Sequence, residues 1–161
     1  MSKHSRILDS WKSYTNIAGI KVPIYHVVKS SKYGVFHGSV TPCPQDYVNI
    51  NDWDGYRFAE RKCDIDIIHA KAKILRERAS GILNTHKTLY TKYKNAKDYE
   101  QALFLGDLYY QYEIAQKEYE KVYKQYKYMR DSFSDYTTRM IERRKELSNK
   151  VQKQREMNME Q

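Results

Sequence analysis

From Leu105 to Leu147 every seventh residue is apolar: Leu105, Tyr112, Tyr119, Tyr126, Phe133, Met140 and Leu147. Three residues after each of the first five stands a second apolar set, Leu108, Ala115, Val122, Met129 and Tyr136. This 3-4 alternation, kept over five repeats, is the pattern of a helix that packs along another helix. Few folds tolerate such a stripe. A long helix carrying it must find a partner helix, in the same chain or in a neighbour.

A candidate partner lies upstream. One set of heptad positions runs Phe58, Ile65, Ala72, Ala79, His86, Tyr93, and a second runs Ile68, Leu75, Ile82, Leu89, Ala96, Leu103. The two seams are out of phase, which places a break somewhere in 95–106. Asn95 and Asp98 are candidate caps there, with Asp98 and Gln101 at capping-box spacing, and Gly106 is another candidate break. Asn51 or Asp52 suits the N-cap of the first helix, with Asp54 favourable in its first turn. The spacing predicts helices over about 53–95 and 98–156, folded back at a turn near residue 97. At 1.5 Å per residue these run roughly 65 and 90 Å, so the first helix reaches about residue 140 of the second. Beyond that point the second helix projects from the pair or packs on the N-terminal segment, and Arg143 and Lys150 fall at core-type positions. Ser80-Gly81 offers an earlier helix end, but the heptad continues unbroken through it, which favours one continuous helix.

The first third of the chain differs in kind. All three prolines, Pro23, Pro42 and Pro44, precede residue 45. Ser5–Tyr14 reads as a short helix with Ile7, Leu8 and Trp11 on one face. Ile20–Val28 and Tyr33–Val40 read as two strands of a hairpin around Lys29-Ser30-Ser31-Lys32, with Pro23 confining the first to a sheet edge. The expected fold class is therefore mainly α: a long antiparallel, coiled-coil-like helical hairpin, 53–161, carrying a small extended or β-hairpin N-terminal docking segment, 1–52.

Charge is distributed unevenly. The chain of 161 residues carries a formal net charge of +9 and has sixteen tyrosines against four phenylalanines. Residues 98–135 are net acidic, whereas 53–96 and 139–155 are net basic. The acidic part of the second helix would thus lie beside the basic first helix. Tyrosine suits half-buried seams, because its ring packs while its hydroxyl reaches water. Tyr109, Tyr123 and Tyr128 fall beside the main seam; if exposed, they widen the apolar face beyond what one partner helix covers.

Motifs for chemistry are sparse. No phosphate-cradling glycine loop, nucleophile elbow or zinc-protease motif is present. His26, His37, Cys43, Cys63 and His69 lack close metal-ligand spacing, and Cys63, Asp66 and His69 read as unlinked residues on a helix. His86 falls on the seam and reads as a core histidine. No cofactor, metal or catalytic group is expected. The paucity of cysteine and the lack of any membrane-length apolar run point to an intracellular protein with reduced thiols and no membrane contact.

The pattern leaves contact as the expected activity. A non-enzymatic structural or assembly component of a larger complex, such as a virus or phage particle, fits best, with other protein subunits as partners in a homo- or hetero-oligomer. The patch expected to dock them is basic: Arg139, Arg143, Arg144, Lys145, Lys150, Lys153 and Arg155. The alternative is a nucleic-acid-binding protein in which these cations and the basic first helix grip phosphates without reading sequence.

Overall fold

A computed structural model describes residues 5–42, 55–93 and 99–160. The chain is mainly helical. Three strands, β1 (Arg6–Ile17), β2 (Ile20–Ser31) and β3 (Gly34–Val40), precede two long helices, α1 (Gly55–Tyr93) and α2 (Tyr99–Met159). The helices form an antiparallel helical hairpin, as the two seams required. The expected caps at Asn51, Asp52, Asp54, Asn95 and Asp98 lie outside the described residues. Helix α1 runs through Ser80-Gly81 without a break, and Gly106 sits inside α2 and interrupts nothing. Leu103, placed on the first seam by its spacing, belongs to α2 and is exposed.

The largest departure from the sequence reading is at the start. Arg6–Ile17 is a strand, not a short helix, and the sheet has order β1-β2-β3, with both pairings antiparallel. The cause is local chemistry. Trp11, Tyr14, Thr15 and Ile17 favour extended backbone, and the two residues that follow reverse the chain. Ala18 and Gly19 both take positive φ, 53° and 84°, which closes a two-residue hairpin between the paired Ile17 and Ile20. The side-chain carbonyl of Asn16 accepts the Gly19 N–H at 2.9 Å. The second hairpin turns at Lys32-Tyr33; there Ser31 accepts the Tyr33 N–H and donates to the Gly34 carbonyl.

Pro23 therefore stands in the central strand rather than at an edge. The sheet accommodates it because β3 pairs only with Tyr25–Ser31, so at Pro23 the strand has β1 alone beside it. No β3 carbonyl is left waiting for the missing N–H.

Contacts group the chain into two compact units. The first comprises residues 1–67 and 129–161. Within it the sheet lies on α1: Val27 and Val40 pack with Ala59 and Cys63, joined by Tyr56, Phe58 and Phe133. The approach is close at Gly38, where a Cβ would collide with the Ala59 carbonyl oxygen and press on the Cys63 sulfur. Phe58 stacks on Tyr136 at 4.5 Å between ring centroids, which is the seam itself. Lys29 is buried on β2 and reaches two carboxylates of α1, Glu60 at 2.8 Å and Asp64 at 2.7 Å.

Among the described residues, the second unit, 68–128, is helix on helix. Ala72, Leu75 and Val122 form its core with Ile68 and Tyr119 against them. His69 stacks on Tyr126 at 4.5 Å, and His86 meets Tyr109 at 5.2 Å. His86 is half-buried rather than in the core, and the tyrosine it meets lies beside the main seam.

Candidate functional site: the basic helix end and the outer face of the sheet

The seam positions of α2 are buried or half-buried from Leu105 through Met140. Past that point the phase moves. Arg143 and Lys150, heptad core positions by strict count, are exposed, and Arg144 and Val151 are half-buried in their place. A straight helix has 3.6 residues per turn against 3.5 for a heptad, so its inward face drifts forward by about 20° per repeat. The drift ejects two cations and turns Val151 inward.

It also divides the expected basic patch. Arg144 and Lys145 lie beside the end of β1, lining with Ile17, Ile141, Ser148 and Asn149 a shallow depression. Arg155 approaches the β1–β2 turn, its Nη2 3.8 Å from where a Gly19 Cβ would stand. Helix α2 therefore approaches the N-terminal hairpin along residues 141–155, while every described residue after Val151 is exposed. Arg139, Arg143, Lys150 and Lys153 recur at spacings that put them on the opposite, exposed side of the helix. Their aliphatic stems and charges form a cationic stripe, while Arg139 and Arg144 also donate to the helix's own carbonyls at Asp135 and Met140.

The buried polar groups of the first unit are structural. Burial alone would lower the Lys29 pKa, but the hydrogen bonds it donates to Asp64 and Glu60, with their negative charge, outweigh burial and hold the pKa above its usual value. Cys63 is a free, fully buried thiol that donates to the carbonyls of Val27 and Phe36 at 3.4 and 3.5 Å. Burial pushes its pKa up, so it stays protonated and inert.

A second polar group sits on the other face of the sheet, toward solvent. Trp11, Ser13, His26 and His37 come from three different strands. Ser13 Oγ lies 2.7 Å from His26 Nε2, and His26 Nδ1 lies 2.9 Å from His37 Nε2. The Trp11 indole covers both imidazoles, 4.8 Å from His26 and tilted by 4°, and 5.3 Å from His37. Burial, then the neighbouring His37, lowers the His26 pKa below the ordinary histidine value of 6.5, which favours the neutral ring at pH 7. The two histidine centroids are 5.1 Å apart, longer than their nitrogen separation by about two ring radii. The rings therefore meet head to head, the arrangement of a shared proton. Two lone pairs converging on a metal would have to turn away from each other's line. Among the described residues no group of three or more His, Cys, Asp or Glu could hold a metal ion.

A helix over Ser5–Tyr14 would not bring these residues together; only the strand aligns Ser13 with His26. The signal available was the Ala18-Gly19 reversal between two β-rich runs of equal length. No protein-family model, curated protein or solved structure matches the chain.

Proposed function

We propose that the protein is a structural component of a larger macromolecular assembly, such as a virus or phage particle, in which the helical hairpin is a spacer and its surfaces dock other protein subunits. The observation that carries this reading is a second apolar stripe on α2. Tyr99, Leu103, Tyr110 and Ile114 are 76%, 56%, 58% and 44% exposed. Their spacing puts them on the side of the helix away from the Leu105–Tyr112 seam. Tyr109, Tyr123 and Tyr128 are exposed as well, so the apolar surface is wider than one partner helix covers. A helix apolar on two sides is stable in water as a monomer only at a cost in exposed surface, and burial against a neighbour removes it. No helix among the described residues is long and apolar enough to cross a membrane.

Light scattering on the full chain tests the reading directly. The expected result is an oligomer, or a stable complex with a co-purifying protein, that Leu103→Glu with Tyr110→Glu dissociates while the helical circular dichroism persists. A chain monomeric at every concentration and free of any bound protein overturns it.

The exposed Arg139, Arg143, Lys150 and Lys153 stripe supports a second reading, sequence-independent binding of nucleic acid. It requires affinity that falls steeply with salt and is lost on charge reversal of these four residues. Affinity untouched by the reversal rules this stripe out.

A further inference from the structure

We propose that Ser13, His26 and His37 form a Ser–His–His nucleophilic site on the outer face of the sheet, able to accept an acyl group from an unhindered ester. The inference goes beyond the assembly reading and does not depend on it. Its basis is connectivity. A serine becomes a nucleophile when a base takes its proton and a third group holds the base in the right tautomer. Here Ser13 Oγ is 2.7 Å from one nitrogen of His26, and the other nitrogen is 2.9 Å from His37. With the His26 Nδ1–H donating to His37 Nε2, the Nε2 lone pair of His26 faces the Ser13 hydroxyl. His37 thus positions the base and shares the charge that develops on it.

The surroundings fit this assignment. Trp11 stacks flat on His26, which restricts the ring to one orientation and places a π-face against the imidazolium that forms. Ser13 lies on an edge strand, since β1 pairs only with β2 among the described residues. Alternate backbone N–H groups of an edge strand point away from its neighbour and are available to a carbonyl oxygen. Exposed Val35, half-buried Val28 and the indole offer apolar contact on the same face. The charged groups that the register places there are Arg6 and Asp9 of β1.

The step balances without a further reactant. Ser13 Oγ bonds to the carbonyl carbon as its proton passes to His26 Nε2. The C–O bond to the alkoxy group breaks, and that group leaves as the alcohol with the same proton. Water, deprotonated by His26, then releases the acid and restores the hydroxyl. Among the described residues Trp11 and His37 are exposed and Ser13 and His26 half-buried, an accessible array that suits a short acyl chain on a good leaving group, the p-nitrophenyl esters being the simplest probe.

The test is reaction of the full-length protein with p-nitrophenyl butyrate, with the acylated residue mapped by mass spectrometry. The expected result is acylation of Ser13 ahead of every other serine, tyrosine and lysine. His26→Asn should slow it by about a hundredfold, the ordinary contribution of a general base, with the circular dichroism unchanged. His37→Asn should slow it less and shift the midpoint of the rate–pH profile, because the imidazole 2.9 Å from His26 Nδ1 sets how readily His26 takes the proton. A merely structural role for His37 leaves that midpoint in place. Wild-type protein modified elsewhere but not at Ser13, or a His26→Asn variant acylated at the wild-type rate, overturns the proposal. Oligomeric state does not enter this readout, so its failure and that of the assembly reading are distinguishable.

Discussion

The same α1 helix is held in two different ways in the two units. In residues 68–93 it is buried along one stripe, at Ala72, Leu75 and Ala79, facing the α2 seam. In residues 55–67 it is covered along two: the seam, through half-buried Phe58 and buried Ile65, and a second row, buried Ala59 and Cys63, under the sheet. One contact is a continuous hydrophobic seam that absorbs small errors by side-chain adjustment. The other brings backbone against backbone and adds a buried lysine between carboxylates. The first unit should therefore be brittle where the second is forgiving.

Gly38→Ala attacks the brittle contact and has the largest expected effect. The new methyl group meets the Ala59 carbonyl oxygen, which is part of the helix backbone and cannot rotate aside. Overpacking of this kind costs about 3 kcal/mol. Urea unfolding measures the loss, and Cys63, buried under the sheet in the native protein, should become reactive toward thiol reagents. A variant as stable as wild type, with its thiol still protected, would remove the distinction between the units.

Leu75→Ala probes the other side of the comparison. Leu75 is nearly buried between Ala72 and Val122, and truncation leaves a cavity worth about 2–3 kcal/mol. Because the neighbouring Ile68 and Tyr119 are only partly buried and can shift inward, the cost should fall at the lower end of the leucine range. A loss above that of Gly38→Ala would reverse the ranking.

The helix pair was legible in the sequence because its energetics are periodic. Burial every 3.5 residues writes itself as a heptad, and both seams and the continuity through Gly81 could be read from it; the two β-rich runs were legible from residue type. The sheet's seat on α1 was not legible. Ala59 and Cys63 are small and follow no heptad, and Gly38 matters by lacking a side chain. Lys29 reads as a turn residue until Glu60 and Asp64 are placed opposite it. The outer-face array was hidden for a related reason: Ser13, His26 and His37 are neighbours only through the register of three strands, and that register depends on recognising Ala18-Gly19 as a turn. The basic patch was legible as composition but not as geometry, since drift of the helix phase decides which cations face the hairpin.

Lys29→Met separates charge from packing at the sheet contact. Breaking a buried ion pair from one side costs most when the remaining charge stays buried. Glu60 and Asp64 keep 30% and 38% of their side-chain surface, so both rehydrate once the ammonium is gone. The expected loss is about 1–2 kcal/mol, well below that of severing a fully buried pair. The pH dependence gives the sign. Lys29 binds its proton more tightly in the folded state, so its contribution is complete below the unfolded value of 10.5 and disappears as pH rises through the higher folded value. In Lys29→Met this alkaline component is absent. The thiol of Cys63 adds an alkaline loss in both proteins, because its folded pKa is raised above 9.0 and the unfolded chain releases its proton first. Matching alkaline slopes in the two proteins would show that the ion pair does not couple sheet to helix.

Gly81→Ala has the smallest effect and the opposite sign. Gly81 lies inside α1 in the second unit, and a Cβ built there meets nothing within 4 Å. The contrast with Gly38 is in surroundings alone, since both substitutions add one methyl group. In a helix interior that methyl restricts the unfolded chain more than the folded one, and alanine exceeds glycine by about 1 kcal/mol. The Thr85 hydroxyl, which donates to the Gly81 carbonyl at 3.0 Å, is undisturbed because only the α-carbon substituent changes. Gly81→Ala should raise the unfolding midpoint measured by circular dichroism. A lowered midpoint would mean that this turn of α1 needs glycine's freedom, and the seam of the second unit would then be as exacting as the sheet contact of the first.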